Sequence, residues 1–114
     1  MIHLYVQQAI VQKEFAEYLD EKPVAQSNFY QHFVGEVGHE NGVSEDELVG
    51  KIIIRFIISK EGKTEDITVL RGVHGTVNEE IVRLLQEAPE WSPGMKDGEP
   101  VDTPMILPVM SYSK

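Results

Sequence analysis

Lys51-Ile52-Ile53-Ile54-Arg55-Phe56-Ile57-Ile58-Ser59 is the stretch that decides the fold. Successive side chains of an extended chain point to opposite faces. Ile52, Ile54, Phe56 and Ile58 therefore share one face, and Lys51, Ile53, Arg55 and Ile57 share the other. One face is wholly apolar and the other mixed, as in a sheet with a helix laid over one side. Lys60-Glu61-Gly62-Lys63 follows as a tight turn in which Gly62 can take a positive φ without steric cost. Thr64 to Arg71 returns with Ile67 and Val69 alternating with polar neighbours, so the spacing predicts a hairpin.

Downstream, Thr76 to Ala88 carries an apolar stripe of Val77, Ile81, Leu84, Leu85 and Ala88 at helical spacing. Thr76 and Glu79 fit a capping box, the Glu79-Glu80 pair suits the helix N-terminus, and Pro89 ends the helix. Val101 to Tyr112 reads as a third strand. Pro104 and Pro108 lie four apart on one face of it, and neither can donate to a ladder. The strand is therefore expected to be an edge on at least one side. The sum is an α+β fold: a small antiparallel three-stranded sheet with one packed helix, in the order β-β-α-β.

Upstream, residues 2–20 are expected to form an amphipathic helix. Ile2, Val6, Ala9, Lys13 and Ala16, with Ile10, Phe15 and Leu19, fall near helical spacing, and Pro23 follows its end. A shorter helix is expected over 27–37, with Ser27 as N-cap and Phe29, Phe33 and Val37 every four residues. The loop Gly38-His39-Glu40-Asn41-Gly42 comes next. Ser44-Glu45-Asp46-Glu47 has capping-box form, but Gly50 is close behind, so a solvated turn is expected there. The expected organisation is an acidic helical lead-in over 1–42 and a domain over 43–114.

Charge narrows the partners. The chain carries 19 acidic and 10 basic residues, a net −9. Residues 1–48 hold nine Asp or Glu against two Lys, whereas residues 49–114 are nearly balanced. Such a balance argues against nucleic acid and anionic membrane surfaces, both of which need a positive face. No apolar run approaches the ~18–20 residues of a membrane span, so no membrane insertion of this segment is expected. With no cysteine, thiol catalysis, disulfides and Cys-based zinc sites are excluded.

The sequence carries no recognisable catalytic constellation. His3, His32, His39 and His74 lie on separate segments without metal spacing, and the adjacent His39-Glu40 is a single weak pair. Glu45, Asp46 and Glu47 lack the spacing of a calcium loop. No serine stands in a nucleophile elbow, and no glycine-rich phosphate loop follows a strand. Trp91, between Pro89 and Pro93, is expected to plug the core; Arg55 and Arg71 are expected on solvated faces. No enzyme, cofactor or metal site is expected.

The words between helix and last strand are the most specific. Ala88-Pro89-Glu90-Trp91-Ser92-Pro93-Gly94 is followed by Asp97-Gly98-Glu99-Pro100-Val101 and then Leu107-Pro108-Val109. With the Ile52–Ile58 strand, the Gly62 turn and the Ile67–Arg71 strand, residues 43–112 resemble the C-terminal domain of TonB. TonB is the energy transducer of Gram-negative outer-membrane transport. On that resemblance Gly62, Trp91, Pro93, Gly94, Gly98 and Pro100 are the structural motif positions. The Phe29–Val37 stretch and the loop into Val49 resemble the lead-in of such domains of the Bacteroidetes type.

The resemblance implies a protein-binding module that couples inner-membrane energy to outer-membrane transporters. It would capture the N-terminal peptide of a receptor as an added strand, backbone bonds giving affinity and alternate side chains selectivity. The last strand would offer the edge: Thr103, Met105, Ile106, Leu107, Val109, Met110, Ser111 and Tyr112. A second copy of the chain is the other occupant such an edge admits. That gives the alternative of a self-associating interaction or regulatory protein with no transport role. Full transducers carry a membrane anchor and a Pro-rich linker, and neither occurs in these residues. The location implied is periplasmic for a segment of an anchored transducer and cytoplasmic if Met1 is the natural start.

Overall fold

The computed structural model describes residues 2–33, 36–37 and 43–113. The Gly38–Gly42 loop, with its His39-Glu40 pair, lies outside the described residues. Three long strands form the spine. β5 (Gly50–Ile58) and β6 (Thr64–Arg71) make the hairpin that the alternation predicts. Gly62 turns it at φ +84°, and its carbonyl accepts the Trp91 N–H at 2.8 Å. β10 (Thr103–Ser113) lies antiparallel to β5 over nine residue pairs, from Thr103↔Ile58 to Ser111↔Gly50.

The helix α3 (Gly75–Gln86) lies over the apolar face. Its cap differs from the capping box expected at Thr76 and Glu79. The helix starts a residue earlier, and the His74 ring Nδ1 accepts the Thr76 N–H at 3.2 Å. The Asn78 amide clamps the entry by exchanging two hydrogen bonds with the Val73 backbone. Val77, Ile81 and Leu85 are buried against Ile52, Ile54, Phe56 and Ile58 of β5 and Met105, Leu107 and Val109 of β10.

The lead-in departs most from expectation. Residues 2–20 do not form a helix. Ile2–Val6 is a strand, β1, antiparallel to β10, and Ile10–Val11 is a second, β2, on the same side of β10. Helix survives only over α1 (Lys13–Ala16). The physical reason is the period. Ile2, Leu4 and Val6 alternate with His3, Tyr5 and Gln7, and β-branched and aromatic residues dominate the run. That pattern fits a half-buried strand better than an isolated helix. Further on, β3 (Val24–Ala25) precedes a 3-10 turn (Tyr30–Phe33), and β4 (Glu36–Val37) pairs with Ile2 and His3. Of the second helix expected over 27–37, the described residues hold one 3-10 turn and the β4 strand, and residues 34–35 lie outside them. The Ser44 stretch is the opposite case. It is a short helix, α2 (Glu45–Leu48), whose capping box forms: the Ser44 N–H donates to the Glu47 carboxylate at 3.0 Å.

The remaining strands are short. β7 (Trp91–Ser92) pairs with β3, and β8 (Gly94–Lys96) pairs with β9 (Glu99–Val101) across an Asp97-Gly98 turn, both residues at positive φ. The main sheet therefore has six strands in the order β4-β1-β10-β5-β6, with β2 also on β10, rather than three. The class remains α+β and antiparallel.

β10 is consequently interior, and its prolines explain how. The Gln7 N–H donates to the Pro108 carbonyl at 3.0 Å and the Gln12 N–H to the Pro104 carbonyl at 2.9 Å. In an antiparallel strand a residue's nitrogen and carbonyl face the same neighbour. Both proline nitrogens therefore face the 2–12 segment, and the ladder to β5 loses no donor. The missing donors make each proline pairing single-bonded instead of closing the edge. Between Val6↔Val109 and Ile10↔Ile106 the lead-in spends three residues against two on β10, a one-residue bulge beside Pro108. The Ala9 N–H at this bulge donates to the Tyr30 hydroxyl at 2.9 Å. Burial holds the Tyr30 phenol above its ordinary pKa, with the Ala9 N–H pulling the other way.

Two substitutions test this framework. A Cβ at Gly62 would lie 1.9 Å from the Trp91 carbonyl oxygen, on a backbone already at positive φ. Gly62→Ala should lower stability by about 2–4 kcal/mol, seen as a reduced urea midpoint at unchanged slope. Tyr30→Phe removes only the acceptor at the bulge. It should cost about 1 kcal/mol and speed amide hydrogen exchange at Ala9 without affecting β5 amides.

Candidate strand-addition edge

The residues proposed from sequence for partner binding lie on one strand, and the pleat divides them. Thr103, Met105, Leu107, Val109 and Ser111 are buried on the helix-covered face. Ile106 is half-buried and Met110 and Tyr112 exposed on the outer face. The Ser111 hydroxyl is satisfied by donating to the Leu48 carbonyl at 2.8 Å. What such a strand offers a partner is its backbone. On the β5 side that backbone is fully engaged. On the other side it presents carbonyls at every second residue but no donor at Pro104 or Pro108. That side is chemically an acceptor-rich rail.

The rail is occupied by the chain itself. Tyr5↔Met110 and His3↔Tyr112 are register pairs, and the His3 and Tyr112 rings stack with centroids 5.4 Å apart. Across the strand, the Arg55 Nε donates to the Gln12 side-chain oxygen at 3.0 Å. Arg55 is thus engaged within the chain rather than simply solvated. Ile2 and Ala9 are buried, with Leu4, Val6 and Val11 partly so. Sequence reasoning placed Ile2, Val6 and Ala9 on a helix and missed Leu4, Val11 and Tyr30. The available signal was the two-residue alternation of Ile2, Leu4 and Val6.

The motif residues from the helix exit hold the lead-in in place. Trp91 is buried, edge-to-face on Phe29 at 4.8 Å and near Phe56 at 6.2 Å. Its Nε1 is a buried polar atom without an acceptor among the described residues. Gly94 sits where a Cβ would meet Thr103 Oγ1 at 2.5 Å and also crowd Leu19 and Pro23. Gly98 and Pro100 lie in the β8–β9 hairpin, whose Asp97 N–H donates to the Asp20 carboxylate at 2.7 Å; Pro93 lies between β7 and β8. Lys96 reaches over the Tyr18 ring, 5.1 Å from its centroid. A cleft of about 390 Å³ opens beside the bulge, lined by Gln8, Ala9, Pro23, Ala25, Tyr30 and Trp91 among others.

β6 ends the sheet on its other side and presents a second edge. Its register shifts twice against β5, Asp66 sits at φ +50°, and Glu65, Asp66 and Arg71 are exposed. Bulges and charges of this kind discourage strand addition. Among the described residues no three His, Asp or Glu side chains gather to hold a metal. Among them, too, no helix is long and apolar enough to cross a membrane. The ion pairs of Arg83 with Glu80 and Glu87 lie on the solvent face of α3, where such pairs contribute little.

The family described as the Gram-negative bacterial TonB protein C-terminal matches residues 44–110. No curated protein and no solved structure is similar enough to count as a match. The matched residues contain β5, β6, α3 and the β7–β9 segment, together with all but the last three residues of β10. They cover more than half of the chain, which belongs to the TonB C-terminal family of protein-interaction domains.

Proposed function

We propose that this domain is the periplasmic adaptor of an energy transducer, and that it binds an extended N-terminal segment of an outer-membrane receptor by strand addition along β10. One observation carries the reading. The outer side of β10 accepts an antiparallel strand along most of its length, since residues 2–12 lie there in that geometry. The family is one of receptor-binding periplasmic domains, which supports the choice of partner. The bulged, charged β6 edge is the weaker alternative surface.

A second reading has its own support. The strand that β10 holds comes from the same chain, so a second copy could supply it instead. Reciprocal exchange of residues 2–11 would give a symmetric swapped dimer without transport function. The exposed Tyr5, Ile10, Met110 and Tyr112 on the outer face would add apolar contact to such an assembly.

Titration of labelled protein with a synthetic receptor N-terminal peptide tests the first reading. Backbone amide signals of residues 103–112 should shift, together with those of β1. Shifts confined to β6 or to distant loops would sink strand addition at β10. Sedimentation addresses the second reading: a dimer that persists at micromolar concentration supports exchange, and a monomer throughout removes it.

A further inference from the structure

The geometry points to residues 2–11 as a removable occupant of β10, whose pattern describes the strand that replaces it. This inference rests on the receptor reading of the β10 edge and adds what the incoming segment has to look like. It must run antiparallel to β10. It must bring N–H donors to the Pro108 and Pro104 carbonyls, as Gln7 and Gln12 do, and needs no acceptor for the two absent proline donors. Between those points it must carry one extra residue, small enough for the buried Ala9 position, with its N–H directed at the Tyr30 hydroxyl. On the N-terminal side of the bulge, apolar side chains must fall at alternate positions to fill the sites of Ile2, Leu4 and Val6.

Several features make the occupant separable. Among the described residues, only the two of β4 pair with its far side, at Ile2 and His3. Two of its pairings are limited to one hydrogen bond by the prolines. The bulge interrupts the ladder near its middle, and Tyr5, Gln7, Gln8 and Ile10 are exposed. The β5–β10 pairing on the other side has none of these weaknesses; it runs over nine pairs without a register shift.

The register also makes a strict demand. Removing one residue from a strand moves every side chain beyond that point to the opposite face. A partner without the extra residue could satisfy one half of β10 or the other, but not both.

The chain has no cysteine, so a single engineered pair is unambiguous. Tyr5 and Met110 are register partners on the outer face. Cα atoms of antiparallel partners lie about 4.5–5.5 Å apart, within the span of a disulfide. The test uses the full chain with Tyr5→Cys and Met110→Cys, isotope-labelled, in its oxidised and reduced forms. The probe is an unlabelled synthetic copy of residues 1–12. A tethered strand has an effective concentration on the order of millimolar, so the titration runs through that range.

In the reduced protein the probe should drive the amide signals of residues 3–6 toward unstructured positions, with half-release near that concentration. The oxidised protein should show at least tenfold less release. A probe lacking the residue equivalent to Gln8 should release at least tenfold less in the reduced protein. Release in both redox states alike, no release in the reduced state, or equal action of the shortened probe would each overturn the inference. A receptor N-terminal peptide is titrated in parallel. If the chain's own copy displaces the strand and the receptor peptide binds neither form, displacement stands and the receptor reading fails. If the receptor peptide binds both forms equally, the receptor uses another surface and displacement is overturned as its route.

Discussion

The structure depends on what Pro104 and Pro108 do to the two sides of β10. Both nitrogens face away from β5, so the ladder that joins the last strand to the apolar first hairpin keeps every donor. The other side keeps every carbonyl but lacks the donors of Pro104 and Pro108. A neighbour on that side is therefore asked chiefly for N–H groups, and Gln7 and Gln12 supply them. Each bond contributes only about 0.5–1.5 kcal/mol net, but a carbonyl buried without one costs about as much or more. The proline spacing thus fixes where a companion strand must donate and where it may bulge.

Much of this was legible from the residues. Ile52–Ile58, the Gly62 turn and the Val77–Leu85 stripe are unambiguous because one period dominates each. The lead-in was harder. Ile2 and Val6 suit a helix by their separation of four, and they suit a strand when Leu4 is counted between them. Length favoured helix; the choice belonged to β10, whose open side could bury the strand's inner face. Pro104 and Pro108 leave one side of β10 poor in donors, but a missing donor is not a missing neighbour. Acceptors remain at those residues, and a strand can pair through them. His74 could not be foreseen as a cap, because imidazole caps by the chance of ring orientation rather than by any strong propensity.

The family match begins at residue 44, yet the core does not. Phe29 and Phe33 are buried beside Trp91, and Ile2 is buried at the start of β1. The 18–25 stretch closes over the β7–β9 segment through Asp20, the Glu21↔Met95 bridge and the Val24↔Ser92 pairing. Gly94 has no room for a side chain because Thr103 of β10 lies against it, with Leu19 and Pro23 of this stretch crowding the same space. Trp91 is buried with its Nε1 unpartnered among the described residues, edge-to-face on Phe29 and near Phe56. Residues outside the matched span thus complete the packing of residues inside it.

An eleven-residue strand with a bare acceptor-rich side would be a standing invitation to pair with any extended chain. Covering it with the chain's own segment removes that hazard without removing the surface. A tethered occupant at an effective concentration of order millimolar excludes weak, unpatterned strands and yields to one that makes the same bonds at lower cost. On the proposed displacement, selectivity would arise from competition. A newcomer must match the bulge at Tyr30 and both proline carbonyls merely to equal the occupant, and must gain elsewhere to replace it. The cleft of about 390 Å³ beside Ala9 and Trp91 is a place where a longer side chain could make that gain. Occupancy of the edge is therefore no argument against its use in binding; it defines the standard a partner has to exceed.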